Sequence, residues 1–125
     1  MQFGPTVPIL RMFNDKMARE FYLGFLGFVV DWEHRFEPGL PLYMQIWRGD
    51  CRLHLSEHHG DCSPGAGVRI TVGDLDALQA EVTGRQYAFA RPGIEDTPWG
   101  TREMIVTDPF SNRLTFVDKK ALVEG

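Results

Sequence analysis

The fold of this chain is decided by residues 96–116, which read DTPWGTREMIVTDPFSNRLTF. Trp99 lies between a proline and a glycine, which indicates an aromatic side chain presented from a loop. Residues 102–107 alternate in polarity, as is typical of a half-buried strand. Asp108, followed by proline, begins a tight turn, because aspartate accepts hydrogen bonds from nearby backbone amides and proline fixes φ. The stretch therefore predicts a loop, a strand, a turn and a returning strand over residues 113–117.

One structural plan recurs at about half the length of the chain. Two candidate helix N-caps, Asn14 and Asp74, lie 60 residues apart, and an apolar helical stripe follows each of them. Near the ends of the two halves, RLHL at residues 52–55 corresponds to RLTF at residues 113–116. Self-similarity at this spacing predicts two copies of one βαβββ unit.

The other elements follow from the same patterns. Helices are expected from Asn14 to Gly27 and from Asp74 to Gly84. The remaining strands are expected at residues 7–13, 28–36, 42–47, 51–56, 67–72 and, with a weaker pattern, 87–90. We therefore expect a single domain over residues 1–125, with a first module of about 6–57, a linker of 58–65 and a second module of about 66–119.

Composition restricts the class of protein. The 125 residues carry a net charge of −4, which argues against nucleic-acid binding. The sequence has neither a continuous apolar run long enough to cross a membrane nor the pattern of a secretory signal, so no membrane association is expected. The two cysteines are most simply read as thiols in a reducing compartment, which predicts a cytoplasmic location.

Strand alternation divides the side chains between two faces. Apolar residues of the predicted strands should face the helices, and a polar set should line the opposite, concave face. The residues of this concave face are the apolar Ile9 and the polar Arg11, Arg52, His54, Arg69, Thr71, Arg113 and Thr115. Four arginines among these eight residues predict that the face is wet, paired with carboxylates or occupied by a ligand.

The ordered pattern W-G-x-R-E-x-x-x-x-D-P-x-x-N-x-x-x-F resembles the second half of the glyoxalase/bleomycin-resistance/dioxygenase (vicinal oxygen chelate) superfamily. The P-W-G stretch before the D-P turn is most similar to the drug-binding bleomycin-resistance proteins, and the resemblance extends over nearly the whole chain. It implies an α+β fold in which two βαβββ modules form a half-open barrel. It also implies a homodimer with ligand grooves completed by both subunits, and Val7-Pro8 resembles the place where such proteins exchange the first strand.

Metal-dependent members of the superfamily take their ligands from four strand positions. Carried over residue by residue, these positions fall near Val7, His54, Gly67 and Thr115. One imidazole among four does not make a site that needs about three histidine or carboxylate ligands. We therefore predict no metal and no other cofactor at these positions.

A second group of potential metal ligands surrounds the linker and comprises His54, His58, His59, Asp61 and Cys62. Its spacing matches no recognised ligand frame, and we interpret it as a solvated loop. The sequence leaves open whether this loop binds metal adventitiously.

The candidate ligand-binding residues are mostly aromatic. As a set, they could form a flat slot for a planar, extended molecule, and the resemblance carries a place beside the drug groove to Trp99. The full set is Trp99, Trp32, Phe36, Tyr43, Trp47, His54, Arg69 and Thr115. Acidic residues of the chain favour a cationic drug, whereas the concave-face arginines favour an anionic or carbonyl-rich ligand, so the sequence leaves the charge of the ligand open.

We expect the protein to bind an antibiotic-like small molecule, for example a glycopeptide-type antibiotic, without chemically changing it. No residue is predicted to be catalytic, although Glu103 and His54 are of the types that act as acid and base. Two alternatives remain open, namely a metal-dependent lyase, isomerase or dioxygenase of the same superfamily, and an interaction module that binds no small molecule.

Overall fold

The computed structural model describes residues 1–85, 87 and 90–119. Two four-stranded sheets with the same connectivity make up the fold. In each sheet the module's first strand pairs in parallel with its last, and the other neighbours are antiparallel. Neither four-stranded sheet closes on itself. The predicted α+β fold of two βαβββ modules is confirmed.

The first sheet has the order β1-β4-β3-β2 and the second the order β5-β8-β7-β6. The strands of the first sheet are β1 Ile9–Arg11, β2 Val29–His34, β3 Tyr43–Arg48 and β4 Cys51–Ser56. Those of the second sheet are β5 Gly67–Val72, β6 Ile94–Asp96, β7 Arg102–Thr107 and β8 Arg113–Asp118.

The two helices begin at the predicted caps. The Asn14 side chain accepts a hydrogen bond from the Met17 amide at 2.9 Å before α1, Asp15–Arg19, and Asp74 caps α2, Leu75–Gly84, in the same way. None of the helices within the described residues is long and apolar enough to span a membrane.

A π-helical segment, Glu20–Phe25, continues α1. It ends where the Leu26 amide donates to the Phe21 carbonyl at 3.0 Å, and Gly27 follows with a φ of 76°, a left-handed conformation that glycine adopts without strain. The wider turn places the buried side chains of Phe21, Tyr22 and Phe25 against the second module, where Phe21 and Phe25 both contact the Tyr87 ring.

Several strand boundaries differ from the sequence prediction. β1 is only three residues long, and β2 ends at His34, so Phe36 lies beyond the strand. A bulge between Val30 and Trp32 shifts the register of β2, so that Val30 lies beside Ile46 and Trp32 lies beside Gln45. The predicted strand at residues 87–90 lies in part outside the described residues, and the strand that pairs with β7 is Ile94–Asp96.

The hydrophobic core is shared by both modules. Leu53, Leu55, Leu114 and Phe116 are buried on the helix-facing side, as the alternation predicted. The opposite faces of the two sheets carry most of the polar residues, and some of these are themselves buried, among them Ser56, Glu103 and Arg11, which is only 9% exposed.

The two modules are joined at the β7–β8 turn by a cluster of buried polar side chains. The Asp108 carboxylate accepts hydrogen bonds from the Tyr22 hydroxyl at 2.5 Å and from the backbone amides of Phe110 and Asn112 at 2.8 Å. The Asn112 amide group donates to the Arg11 carbonyl on β1 at 2.8 Å and accepts from the Ala66 amide at 3.2 Å. One turn therefore binds β1, the first helical region and the start of β5.

Replacing Asn112 by alanine should lower the free energy of unfolding by at least about 2 kcal/mol, because it removes three hydrogen bonds of a fully buried side chain and leaves the Arg11 carbonyl and the Ala66 amide without their side-chain partner. Urea denaturation measures this loss. The neighbouring Ser111→Ala variant is the control and should change the stability by less than about 0.5 kcal/mol, because Ser111 is exposed. Equal stabilities for the two variants would contradict the role given to this turn.

Candidate functional site

The open face of the first sheet carries a compact polar and aromatic cluster, which we call the aromatic face: Trp32, Tyr43, Gln45 and His54. Strand register places His54 directly beside Gln45, and Gln45 beside Trp32. The rings of Trp32 and Tyr43 are stacked, with centroids 5.8 Å apart and planes at 9° to each other. Trp32 is 42% exposed, so this stacked pair is accessible from solvent.

A chain of hydrogen bonds holds Tyr43, His54 and Gln45 of the aromatic face in place. The Tyr43 hydroxyl lies 2.5 Å from His54 Nδ1, and His54 Nε2 lies 2.9 Å from Gln45 Oε1. The Gln45 amide nitrogen donates to Asp31 at 2.5 Å, so the Gln45 oxygen is an acceptor. His54 must therefore carry its proton on Nε2 and accept the tyrosine proton on Nδ1.

The environment keeps this chain in one protonation state. Partial burial lowers the pKa of His54, because it penalises the imidazolium ion. Burial also raises the pKa of Tyr43, and the negative charge of Asp61 adds to this effect. At neutral pH His54 is therefore a neutral, doubly hydrogen-bonded ring that orients Tyr43.

Two other aromatic residues predicted for the site lie apart from this cluster. Trp47 is 37% exposed on β3, with the Arg52 guanidinium over its ring at 5.4 Å. Phe36 is 86% exposed and packs only the edge of its ring against His34, with centroids 5.0 Å apart. Both remain surface aromatics next to the aromatic face.

The open face of the second sheet is organised around a buried carboxylate; we call Trp99, Arg69, Thr101 and Glu103 the acidic face. Glu103 is only 6% exposed and accepts hydrogen bonds from Arg69 at 2.7 Å and from Thr101 at 2.6 Å. These two bonds, with a smaller contribution from the Trp99 side chain, lower the pKa of Glu103. Glu103 is therefore ionised at neutral pH.

Trp99 projects from a tight loop, as predicted. Hydrogen bonds between Thr97 and Thr101 close the loop, including an amide-to-carbonyl bond of 2.8 Å, and Gly100 has a φ of 93°. The tryptophan is 69% exposed. It lines a small pocket of about 230 Å³ together with Gly93, Glu95, Thr97, Glu103 and Ile105.

The structure brings the predicted site residues together in two groups, not one. Among the described residues, no hydrogen bond, ion pair or ring contact joins the aromatic face to the acidic face. His54 and Glu103, the acid–base types noted in the sequence, accordingly lie on different sheets.

Sequence reasoning missed Gln45 and Asp31, which complete the chain of hydrogen bonds, and it did not assign Glu103 to the site. Gln45 lies two residues from both Tyr43 and Trp47 on β3, so its side chain shares their face of the sheet. Strand periodicity therefore contained the signal. The partners of Asp31 and Glu103 depend on side-chain geometry that spacing does not give.

A family model described as "Glyoxalase superfamily protein" matches residues 1–122. The chain belongs to the glyoxalase superfamily. No curated protein matches the sequence.

Solved structures of the superfamily resemble the chain over nearly its full length. The bleomycin-binding protein from the bleomycin producer Streptomyces verticillus, solved with copper(II)-bleomycin, has 29% identity and a TM-score of 0.70, covering 94% of this chain and 98% of its own. A bleomycin resistance determinant encoded on transposon Tn5 has 20% identity and a TM-score of 0.72, covering 93% and 98%. TnmS3, an antibiotic-binding protein from Streptomyces sp. CB03234, has 19% identity and a TM-score of 0.71, covering 94% and 98%.

The four strand positions that hold metal in other glyoxalase-superfamily proteins do not fit a metal here. Val7 and Gly67 have no ligating side chain, and both nitrogens of His54 are already hydrogen-bonded. Thr115 is 7% exposed and lies between Arg69 and Ile105 in the sheet register. A neutral threonine hydroxyl is a poor ligand for the transition metals that such sites bind.

The linker histidines do not assemble a site either. The rings of His58 and His59 stack with centroids 5.4 Å apart, and His58 Nδ1 lies 3.8 Å from Asp61. Across the described part of the chain, no three histidine, cysteine, aspartate or glutamate side chains are grouped as metal ligands.

The hydrogen-bond chain makes a direct prediction for His54. Its ring should titrate below about 6.5, the ordinary pKa of histidine, and its neutral form should carry the proton on Nε2. Long-range ¹H–¹⁵N NMR of the imidazole as a function of pH measures both properties. A proton on Nδ1, or a pKa above the ordinary value, would contradict the assigned network.

Proposed function

We propose that this protein captures an organic small molecule of the bleomycin-like antibiotic class without chemically changing it. The observation that carries the proposal is the aromatic face, where the exposed Trp32 stacks on Tyr43 and the Tyr43 hydroxyl is held by the chain through His54, Gln45 and Asp31. A preorganised, flat aromatic surface binds planar groups at little entropic cost. The same polar groups are engaged with one another, which suits positioning better than acid–base chemistry.

The charge distribution supports a ligand with distinct parts. Glu95 and the ionised Glu103 line the pocket beside Trp99, a combination that favours a cationic or hydrogen-bond-donating group. Arg52 and Arg11 belong to the opposite sheet. Both signs of charge occur on the second sheet, where Arg69 is paired with Glu103, whereas Arg52 and Arg11 of the first sheet lie apart from Glu95 and Glu103.

We infer that a second copy of the chain completes the groove. In one chain the aromatic and acidic faces make no contact with each other, so each offers half of an enclosing site. A homodimer that places the aromatic face of one subunit opposite the acidic face of its partner would supply both halves. The antibiotic-binding neighbours of similar fold support this class of ligand.

The N-terminal strand β1 could be arranged in two ways in the proposed dimer, either paired within its own subunit or exchanged with the partner subunit. In the single chain β1 pairs with β4 of the same chain, and the Pro8 carbonyl accepts from the His54 amide at 3.0 Å. In an exchanged dimer, β1 of one subunit would pair in the same register with β4 of the partner subunit. Capture of an antibiotic in this way would take place in the cytoplasm, where a free thiol such as Cys62 stays reduced.

Titration with metal-free bleomycin and with copper(II)-bleomycin tests the proposal. A bound drug should quench tryptophan emission and should raise the melting temperature increasingly as the free drug concentration exceeds its dissociation constant, and mass spectrometry should recover the drug with unchanged mass. Absence of both spectroscopic effects with bleomycin and with a panel of other aromatic antibiotics would favour an interaction module that binds no small molecule. Recovery of a chemically altered drug would favour an enzyme.

Replacing Trp99 by alanine should weaken drug capture by about tenfold or more, because an exposed aromatic anchor is lost. The melting temperature should change by less than about 2 °C, because Trp99 contributes little to the core. Isothermal titration calorimetry and thermal unfolding measure the two effects.

Leu40→Ala is the matched control for the Trp99 variant. Leu40 is 42% exposed in the turn before β3 and belongs to neither face, so its loss should leave drug affinity unchanged. Equal affinity of the Trp99→Ala and parent proteins would remove Trp99 from the site.

A further inference from the structure

Arg11 occupies an unusual position on the open side of the first sheet. In the register it lies beside Ser56 of β4, which in turn lies beside Tyr43 of β3. The three side chains therefore point to the same face, and Arg11 is about two strand spacings, or roughly 10 Å, from Tyr43. Only 9% of Arg11 is exposed.

The Arg11 guanidinium has no carboxylate partner among the described residues, and its buried Nη1 has no hydrogen-bond acceptor there. This distinguishes it from six other arginines that form ion pairs with aspartate or glutamate, namely Arg19, Arg35, Arg48, Arg69, Arg85 and Arg102. A buried guanidinium stays charged and loses its hydration, so an unpaired donor of this kind is unfavourable. An acceptor supplied from outside the described chain would remove that cost.

The described groups around Arg11 do not supply the missing acceptor. Asp61 is the nearby acid, but its carboxylate accepts from Ser56 at 2.7 Å and faces His58 at 3.8 Å. The Cys62 thiol has its pKa raised by burial and by Asp61, an effect that the Arg11 charge only partly opposes, and it is therefore neutral. The Phe13 ring lies 4.6 Å from the guanidinium carbon and offers a π face, not an acceptor oxygen.

We propose that Arg11 is the anion-recognition residue of the groove, and that the natural ligand carries a carboxylate which pairs with this guanidinium while its planar part stacks on Trp32 and Tyr43. The inference rests on the proposed function and adds the charge of one ligand group to it. A planar guanidinium matches the two oxygens of a carboxylate, and hydrogen bonds between charged groups are stronger than neutral ones. Phe13, which is 56% exposed, is the side chain that would turn aside to admit the carboxylate.

Binding of two simple probes to the full-length protein tests the assignment. Naphthalene-2-carboxylate at pH 7 and the uncharged naphthalene-2-carboxamide share one ring system and differ in charge. The carboxylate should bind about tenfold tighter to the parent protein, as measured by calorimetry and by quenching of tryptophan emission. The preference should disappear in Arg11→Gln, and Arg11→Lys, which retains the positive charge, should keep part of it.

Arg91→Gln is the control for net charge, because Arg91 is exposed on the loop before β6 and should leave the preference intact. If Arg11→Gln proves unfolded, the comparison of the two probes in the parent protein and in Arg11→Lys decides the question. Equal affinities of the two probes, or a preference that survives in folded Arg11→Gln, would overturn the anion site and leave the proposed function standing. Failure of the carboxylate to bind would also overturn it, and bleomycin titration then judges the proposed function separately.

Discussion

The hydrogen bonds made by Asp108 and Asn112 are the constraint on which the rest of this structure depends. These two side chains are buried in the turn between β7 and β8, and together they bind a tyrosine of the first helical region, the backbone of β1 and the start of β5. Every partner belongs to a different element, so the turn fixes how the two modules meet. The D-P-x-x-N pattern therefore forms a reverse turn whose buried side chains also connect the two modules by hydrogen bonds.

Because the modules are fixed in this way, only certain surfaces of the sheets remain open to a ligand. The apolar sides of both sheets are buried with the helices in a shared core, so the opposite faces of the sheets are the ones available to a ligand. One face presents stacked aromatics and Arg11, and the other presents Trp99 with an ionised glutamate. A molecule held between two such faces would meet a flat ring surface, a cation and an acid at separate points, which suits selective binding without catalysis.

Much of the fold followed from the sequence because local rules governed it. β4 and β5 occupy the predicted residues, and both helix caps were correct, since period-two alternation and side-chain caps are short-range effects. Prediction failed where distant contacts decide the outcome. The edge strand β6, which begins at Ile94, was not predicted at these residues. The bulge in β2 and its early end at His34 place Phe36 outside the strand. The burial of Arg11 depends on residues that are distant in the sequence. Spacing along the chain also could not reveal that the predicted site residues divide between two sheets.

The proposed groove would hold its ligand between the aromatic face of one subunit and the acidic face of the other. Mixing Tyr43→Ala and Trp99→Ala, each of which should lack bleomycin sites of parent affinity, under conditions that allow subunit exchange tests this arrangement. Statistical heterodimers contain one intact groove, so calorimetry of an equal mixture should recover about a quarter of the parent binding sites. Recovery of no sites by a mixture that demonstrably contains heterodimers would contradict a shared groove.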